Sequence, residues 1–488
     1  MNRQDAQLLR EIAHQAMIDK GLEPDLPREA RAQLDTIQGA AREDGDASIR
    51  DMRALPWCSI DNDDSRDLDQ LTYGEETGDG QARIYIAVAD VDTLVRKDTP
   101  IDRHAQQNTT SVYTAAQVFP MLPEKLSTDF TSLNEEEDRL AVVIEMVVNL
   151  KDGEVAEGDV YRARVRNKAK LVYDDVAAWL DGEAAEPEKV PTIRGLEETL
   201  RLQDRVADRM RLTRHLRGAL DLETIEARPV IRDGKVIELR QAKRNNARLL
   251  IEDFMIAANG ATARFLERHE FPSIRRVVRS PERWDRIEKI AEELGERLPP
   301  EPDAPALEQF LQRRRKADPT TFPDLSLAIV KAMGAGEYVV ERVGEDSIGH
   351  FGLAVKDYTH STAPNRRYPD LITHRLVKAA LAGQPCPYTE AELDALATHC
   401  TKQEDAANKV ERQVRKSAAA CLLEDRVGDK FDAIVTGASR KGTWVRIFRP
   451  PIEGKVVRGA EGLDIGEKVK VKLLKVDVDQ GYIDFAHA

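Results

Sequence analysis

Five aspartates stand within nine residues, Asp61, Asp63, Asp64, Asp67 and Asp69, inside the stretch WCSIDNDDSRDLDQLTY from Trp57 to Tyr73. Carboxylates this close repel one another and raise each other's pKa, so gathering them costs stability unless cations are present. Hard divalent cations with oxygen ligands meet that need, and magnesium favours a few carboxylates together with a substrate phosphate. Apolar residues bracket the acids, which separates the stretch from a solvated acidic tail; an acidic surface turn is the plainer alternative. An EF-hand loop is excluded. Asp61, Asp63 and Ser65 fit its first three ligand positions, but Arg66 stands where the loop needs Gly and Thr72 where it needs Glu.

Two further groupings carry chemistry. Arg366 and Arg367 end a Pro-bearing loop just before a helix pattern that opens at Tyr368-Pro369. Guanidinium groups bind phosphate oxygens bidentately, and a helix N-terminus adds free N–H groups, so this is the composition of a phosphate clamp. The same arginines could instead bridge to the aspartates as a structural pair. The hydroxyl-rich run Asn108-Thr109-Thr110-Ser111 leads to Tyr113, which suits either a ribose and base platform or an ordinary core tyrosine.

Elements that would position these groups follow from periodicity. Residues 2–20 and a segment from Pro27, with Asp25 available as cap, read as two short helices, a possible helix-turn-helix pair. Residues 83–90 and 140–148 are β-branched runs typical of buried strands, with room for one more strand after Asp67. That places the aspartates at the mouth of a sheet. Weaker alternation marks 154–166 and 228–240, the latter with the turn Asp233-Gly234. Helices are expected over 245–268, 281–296, 305–316, 325–334, 368–382 and 389–425, the last long and basic. From Val427 the pattern changes to five short strands in about 60 residues, the rhythm of an OB-fold.

Composition bounds the rest. The 488 residues allow two to four domains. Cys58, Cys386, Cys400 and Cys421 form no CxxC, which argues against a zinc site and for a reducing compartment. No run is long and apolar enough for a bilayer, so no membrane partner is expected, and without an export signal the expected location is the cytoplasm. The net charge of −14 argues against nucleic acid, yet residues 427–488 hold 11 Lys+Arg against 9 Asp+Glu while the rest carries −16. A local basic channel is compatible with an acidic exterior.

Seven ordered segments together resemble the ribonuclease II superfamily, whose catalytic RNB domain is followed by an S1 RNA-binding domain. They are SIDNDDSRDLDQL, SVYTAAQVFPMLP, NKAKLVYDDV, RGALDLE, IEDFMIAAN, HFGLAVKDYTHSTAPNRRYPDLITHR and the helix bearing Glu411. The resemblance implies an α+β fold in which a mixed sheet is packed with helices. Its expected division is a helical segment over 1–50, an RNB domain over 51–426 and a five-stranded S1/OB barrel over 427–488. It implies hydrolytic 3′→5′ degradation of single-stranded RNA to nucleoside 5′-monophosphates using Mg2+, or Mn2+ in its place; separately, no obligate protein partner is evident and a monomer is expected. Asp61, Asp67 and Asp69 take the family's metal-binding aspartate positions, with Gln70 beside them, and Arg366 that of the catalytic arginine. Tyr113 corresponds to the tyrosine that packs on the terminal nucleotide and Glu411 to a glutamate wedged near the terminal bases. Glu252, or its neighbour Asp253, matches a ribose-contacting acid, while Arg367 stands beside Arg366 in the expected RNA contact. Trp444 sits where S1 domains stack a base, with Lys430, Arg440, Lys441 and Arg446 near enough in sequence to follow phosphates.

The chain departs from the family pattern in three places. Gln70 replaces a fourth aspartate and offers a neutral carbonyl, a poorer magnesium ligand, so that Asp63 or Asp64 substitutes or a second metal binds more weakly. Leu222 stands where some relatives place a second stacking aromatic. Only about 50 helical residues precede the catalytic part, where familiar bacterial members carry cold-shock domains, which suggests a less enclosed RNA entrance. A catalytically silent RNA-binding protein on the same scaffold is the rival reading, with Gln70 as its lesion.

Overall fold

The computed structural model describes residues 5–488 except 44, 224–226, 242–243, 440–441 and 464. A seven-stranded mixed sheet forms its centre, in the order Arg50–Asp51, Val155–Arg166, Asp138–Asn149, Gln81–Ala89, Gln70–Gly78, Cys58–Asp61, Ala169–Val172. The outermost pair at each edge is parallel and the inner pairs are antiparallel. The two central strands are buried along most of their length because Ile84, Ile86 and Val88 lie in register with Met146, Ile144 and Val142. Each such side chain contributes about 1.5–3 kcal/mol on leaving water.

Helix Asn246–Arg268 crosses the sheet, capped by the Asn245 side chain, which accepts from Arg248 N. A 21-residue helix, Leu196–Leu216, packs against it and against strand Gln70–Gly78. Asp253 of the first helix locks the two together through Arg211 and Arg214. The 34-residue helix Glu390–Leu423 starts at a capping box made by Thr389 and Glu392. Its far end supports a closed five-stranded barrel spanning Lys430–Ser439, Gly442–Ile447, Ile452–Arg458, Lys468–Asp477 and Tyr482–His487. Gly481 makes one close approach there. At φ +65°, a Cβ on it would lie 2.7 Å from the Lys416 side chain and 3.1 Å from Ser417 N.

The two N-terminal helices, Asp5–Asp19 and Arg28–Thr36, differ from the helix-turn-helix expectation. The first buries Leu9, Ala13, Ala16 and Met17 against Val410, Val414 and Ala418 of the long helix, and the second packs on helix Pro100–Asn108. Their apolar faces therefore serve different neighbours. Asp25 does not cap the second helix; its carboxylate meets His14 Nε2 at 2.9 Å. Among the described residues no helix is long and apolar enough to cross a membrane.

Candidate active site

The aspartate loop joins strand Cys58–Asp61 to strand Gln70–Gly78, so its ends are fixed by the sheet. Ser132 secures its middle, accepting from Leu68 N at 2.9 Å and donating to the Arg66 carbonyl at 2.8 Å. Each carboxylate then has its own partners. Asp61 accepts from Asn62 N at 2.7 Å and Ser65 Oγ at 2.8 Å. Asp67 accepts from the Tyr113 hydroxyl at 2.9 Å. Asp69 accepts from Asn365 N at 2.9 Å and Arg366 Nε at 3.3 Å.

The opposite wall is zipped to this one by backbone. Thr109, in a left-handed conformation at φ 59° that closes its helix, gives its carbonyl to Tyr368 N at 2.8 Å, and Ser111 N donates to the Arg366 carbonyl at 3.0 Å. A β-branched residue in that conformation is strained, and such strain collects at functional sites. It sets Tyr113 and Arg366 side by side although 253 positions separate them. Tyr113 is pinned at both ends, since its N–H donates to Glu411 Oε1 at 2.8 Å. Tyr113 as a whole remains 44% exposed.

The result is a polar cleft of about 650 Å3 lined by Asp61, Asp67, Asp69, Gln70, Tyr113, Arg366 and Glu411. Asp64 lines it as well. Electrostatics divide its acids. Asp69 is only 2% exposed, and burial pushes its pKa up to about 7 against the pull of Arg366, with Asp67 adding to the rise. Burial and the adjacent Asp67 also raise the Tyr113 hydroxyl, which keeps it a donor.

Other expected site residues lie elsewhere. Arg367 is turned to Asp370 at 2.7 Å and faces a second cavity behind Arg366. Glu252 is exposed one helical turn beyond Arg248, 3.8 Å from Arg244, while Asp253 serves the helix clamp. Leu222 packs on the hydrophobic cluster of Trp284, Phe310 and Phe322. Trp444 lies on the barrel with Lys455 Nζ 5.9 Å from its ring centre. Arg446, two residues on, is engaged with Asp324 of helix Phe322–Met333 at 2.7 Å, both side chains largely buried. Arg440 and Lys441 lie outside the described residues.

Sequence reasoning missed Arg248. It donates to Asn62 Oδ1 at 2.6 Å while its guanidinium rests 4.4 Å from the Tyr173 ring centre, and both line the cleft. It also missed Arg415, one turn beyond Glu411 on the long helix; that i, i+4 spacing was the available signal.

The donor set suits a hard divalent cation: carboxylates, an amide carbonyl and a neighbouring guanidinium for phosphate. Among the described residues no three His, Cys, Asp or Glu side chains converge as a ready-made metal site. Asp61, Asp67 and Asp69 each answer to a different hydrogen-bond donor, so the fit rests on donor chemistry and a shared cleft.

Comparison with known proteins identifies both domains of the chain. The RNB domain family model matches residues 49–383, and that of the RNase II-type exonuclease C-terminal S1 domain matches residues 429–488. Ribonuclease R of Escherichia coli (strain K12) is 32% identical over 501 residues, covering 94% of this chain and 60% of that protein. Ribonuclease R of Aquifex aeolicus (strain VF5) is 31% identical over 463 residues, covering 89% and 64%. The chain thus spans less than two thirds of these relatives' length. The structure of Mycoplasma genitalium RNase R in complex with ribose methylated single-stranded RNA superimposes with a TM-score of 0.87 at 23% identity. That match covers 100% of this chain and 78% of the other, a likeness of fold. With an RNB match over more than half its length and an S1 match after it, the chain belongs to the RNB family.

Proposed function

We propose that this protein is a hydrolytic exoribonuclease that removes nucleotides one at a time from the 3′ end of single-stranded RNA as nucleoside 5′-monophosphates. The observation that carries this reading is the convergence of Asp61, Asp67, Asp69, Tyr113, Arg366 and Glu411 on one cleft. The name ribonuclease R shared by its relatives supports it.

Asp61, Asp67, Asp69 and the Gln70 carbonyl would hold magnesium or manganese, which when bound supplies charge neutralisation and water activation for phosphodiester hydrolysis. The chain's own residues do the rest. Arg366, oriented through its Nε by Asp69, offers the remainder of its guanidinium to the scissile phosphate and stabilises charge as phosphorus becomes pentacoordinate. The water oxygen bonds to phosphorus, the P–O3′ bond breaks, and O3′ of the shortened strand takes a proton. Tyr113 presents its exposed ring to the terminal base while Asp67 and Glu411 hold it in place. Glu252, one helical turn from the cleft-lining Arg248, contacts ribose, and 2′-hydroxyl contacts favour RNA over DNA. Trp444, on the barrel, stacks on a base farther along the strand; Lys441, outside the described residues, is assigned to follow phosphates. Arg446 and Arg367 join the RNA only by leaving Asp324 and Asp370.

The test uses 5′-labelled RNA and DNA of one sequence, with Mg2+ or EDTA. A ladder shortening from the 3′ end, for RNA alone and only with metal, is expected. Tight binding without shortening would overturn the proposal in favour of a silent RNA binder.

A further inference from the structure

Tyr113, Arg366 and Glu411 line two cavities. On the side away from the aspartates they bound a second one of about 200 Å3. Its other walls are Arg367 and His360 from the loop before helix Tyr368–Leu381, Tyr338 of strand Glu337–Glu341, and Glu404 and Asn408 of the long helix. Asn408 is exposed, so the cavity reaches solvent there. Several of its walls are polar groups fixed by hydrogen bonds. The Tyr338 hydroxyl and His360 Nδ1 lie 2.8 Å apart, and Glu404 accepts two bonds of 2.8 Å from Arg276. Arg367 Nε is buried without a hydrogen-bond partner, an unused charge-assisted donor next to the arginine that faces the scissile phosphate.

Hydrolysis from a 3′ end leaves the phosphate on the released nucleotide. The shortened strand still fills the acidic cleft, so the product cannot withdraw along the strand's path unless the strand lets go. At about 200 Å3, below the usual range of about 300–1,000 Å3 for ligand pockets, the cavity is too small for a strand and takes the base or sugar of one nucleotide, the rest reaching out past Asn408. We infer that the second cavity receives the nucleoside 5′-monophosphate after cleavage and releases it past Asn408, with Tyr113 and Glu411 as the partition. This inference rests on the exoribonuclease reading.

Asn408 lines the second cavity and not the acidic cleft, so Asn408→Trp plugs the exit without entering that cleft. With enzyme in excess over 3′-labelled RNA, removal of the first nucleotide should keep its wild-type rate. Steady-state turnover should fall at least about tenfold, and Asn408→Phe, a smaller plug, should fall less. Added AMP should slow wild-type turnover without raising KM for RNA, and Asn408→Trp should lose that inhibition. Unchanged steady-state turnover in folded variants, an equal fall in both rates, or purely competitive inhibition by AMP would each overturn the inference. If Asn408→Trp does not fold, Asn408→Phe and the AMP pattern decide. Absence of first-nucleotide cleavage in the wild type would instead defeat the exoribonuclease reading itself.

Discussion

Arg366 and Arg375 lie nine residues apart and both meet aspartates, yet their surroundings differ in kind. Arg375 is 4% exposed and saturated: it reaches Asp92 at 2.8 Å, Asp102 at 2.7 Å and the Val95 carbonyl at 2.7 Å. Lys378 and Arg162 complete the network through Asp90. Burial pushes Asp90 and Asp92 up, but Lys378 with Arg162 and Arg375 outweighs it, and both carboxyls end below their ordinary value. Arg366 is 42% exposed and gives Asp69 one contact at 3.3 Å, which fails to offset burial. A fully compensated network holds a fold. An under-compensated acid beside a half-exposed guanidinium is reserved for something that arrives.

That contrast can be broken by mutation. Asp69→Asn should abolish cleavage while leaving RNA affinity little changed and melting temperature undiminished, because a neutral amide is cheaper to bury. Full activity would remove Asp69 from the mechanism. Arg375→Met should destabilise the protein by about 3–5 kcal/mol in urea titration, since it leaves buried Asp102 without its cation and removes one of the two that hold Asp92. Arg366→Met should cost less than about 1 kcal/mol of stability but lower kcat by roughly 10²–10³. A stability loss matching that at Arg375 would erase the distinction. Trp444→Ala should weaken RNA binding by about 1–3 kcal/mol with the first-nucleotide rate intact; unchanged affinity would make it a packing residue.

The sign of the acid response sharpens the same point. Asp90 and Asp92 have lowered pKa values, so the stability they contribute is present above about pH 4. It is lost as pH falls below 3.8 through their folded values. Lys378→Met should therefore move acid unfolding to higher pH. An unshifted midpoint, read by circular dichroism, would show that Lys378 does not hold these acids ionised.

The sequence disclosed both halves of the cleft because acidic crowding and the Arg-Arg-Tyr-Pro turn are local patterns. The barrel was equally legible, since its strands are short, alternating and consecutive. What pattern reading left out is long-range. Helix Leu196–Leu216 was not anticipated, although Leu196, Leu200, Val206 and Met210 recur at near-helical spacing and are buried. Its charged majority obscured them. The turn of Arg367 toward Asp370 and the pairing of Arg446 with Asp324 depend on neighbours that composition cannot rank. Two short helices in sequence likewise do not reveal that each packs on a different partner.

Gly481 has a consequence for how the molecule bears load. The barrel turn presses so closely on Lys416 and Ser417 that no other side chain fits. Lys416 is five residues, about 7.5 Å along the axis, from Glu411. A pull on the barrel therefore bears on the segment of helix that holds Tyr113 in place. The long helix thus ties the barrel to the segment that carries Glu411, whose carboxylate holds the Tyr113 backbone.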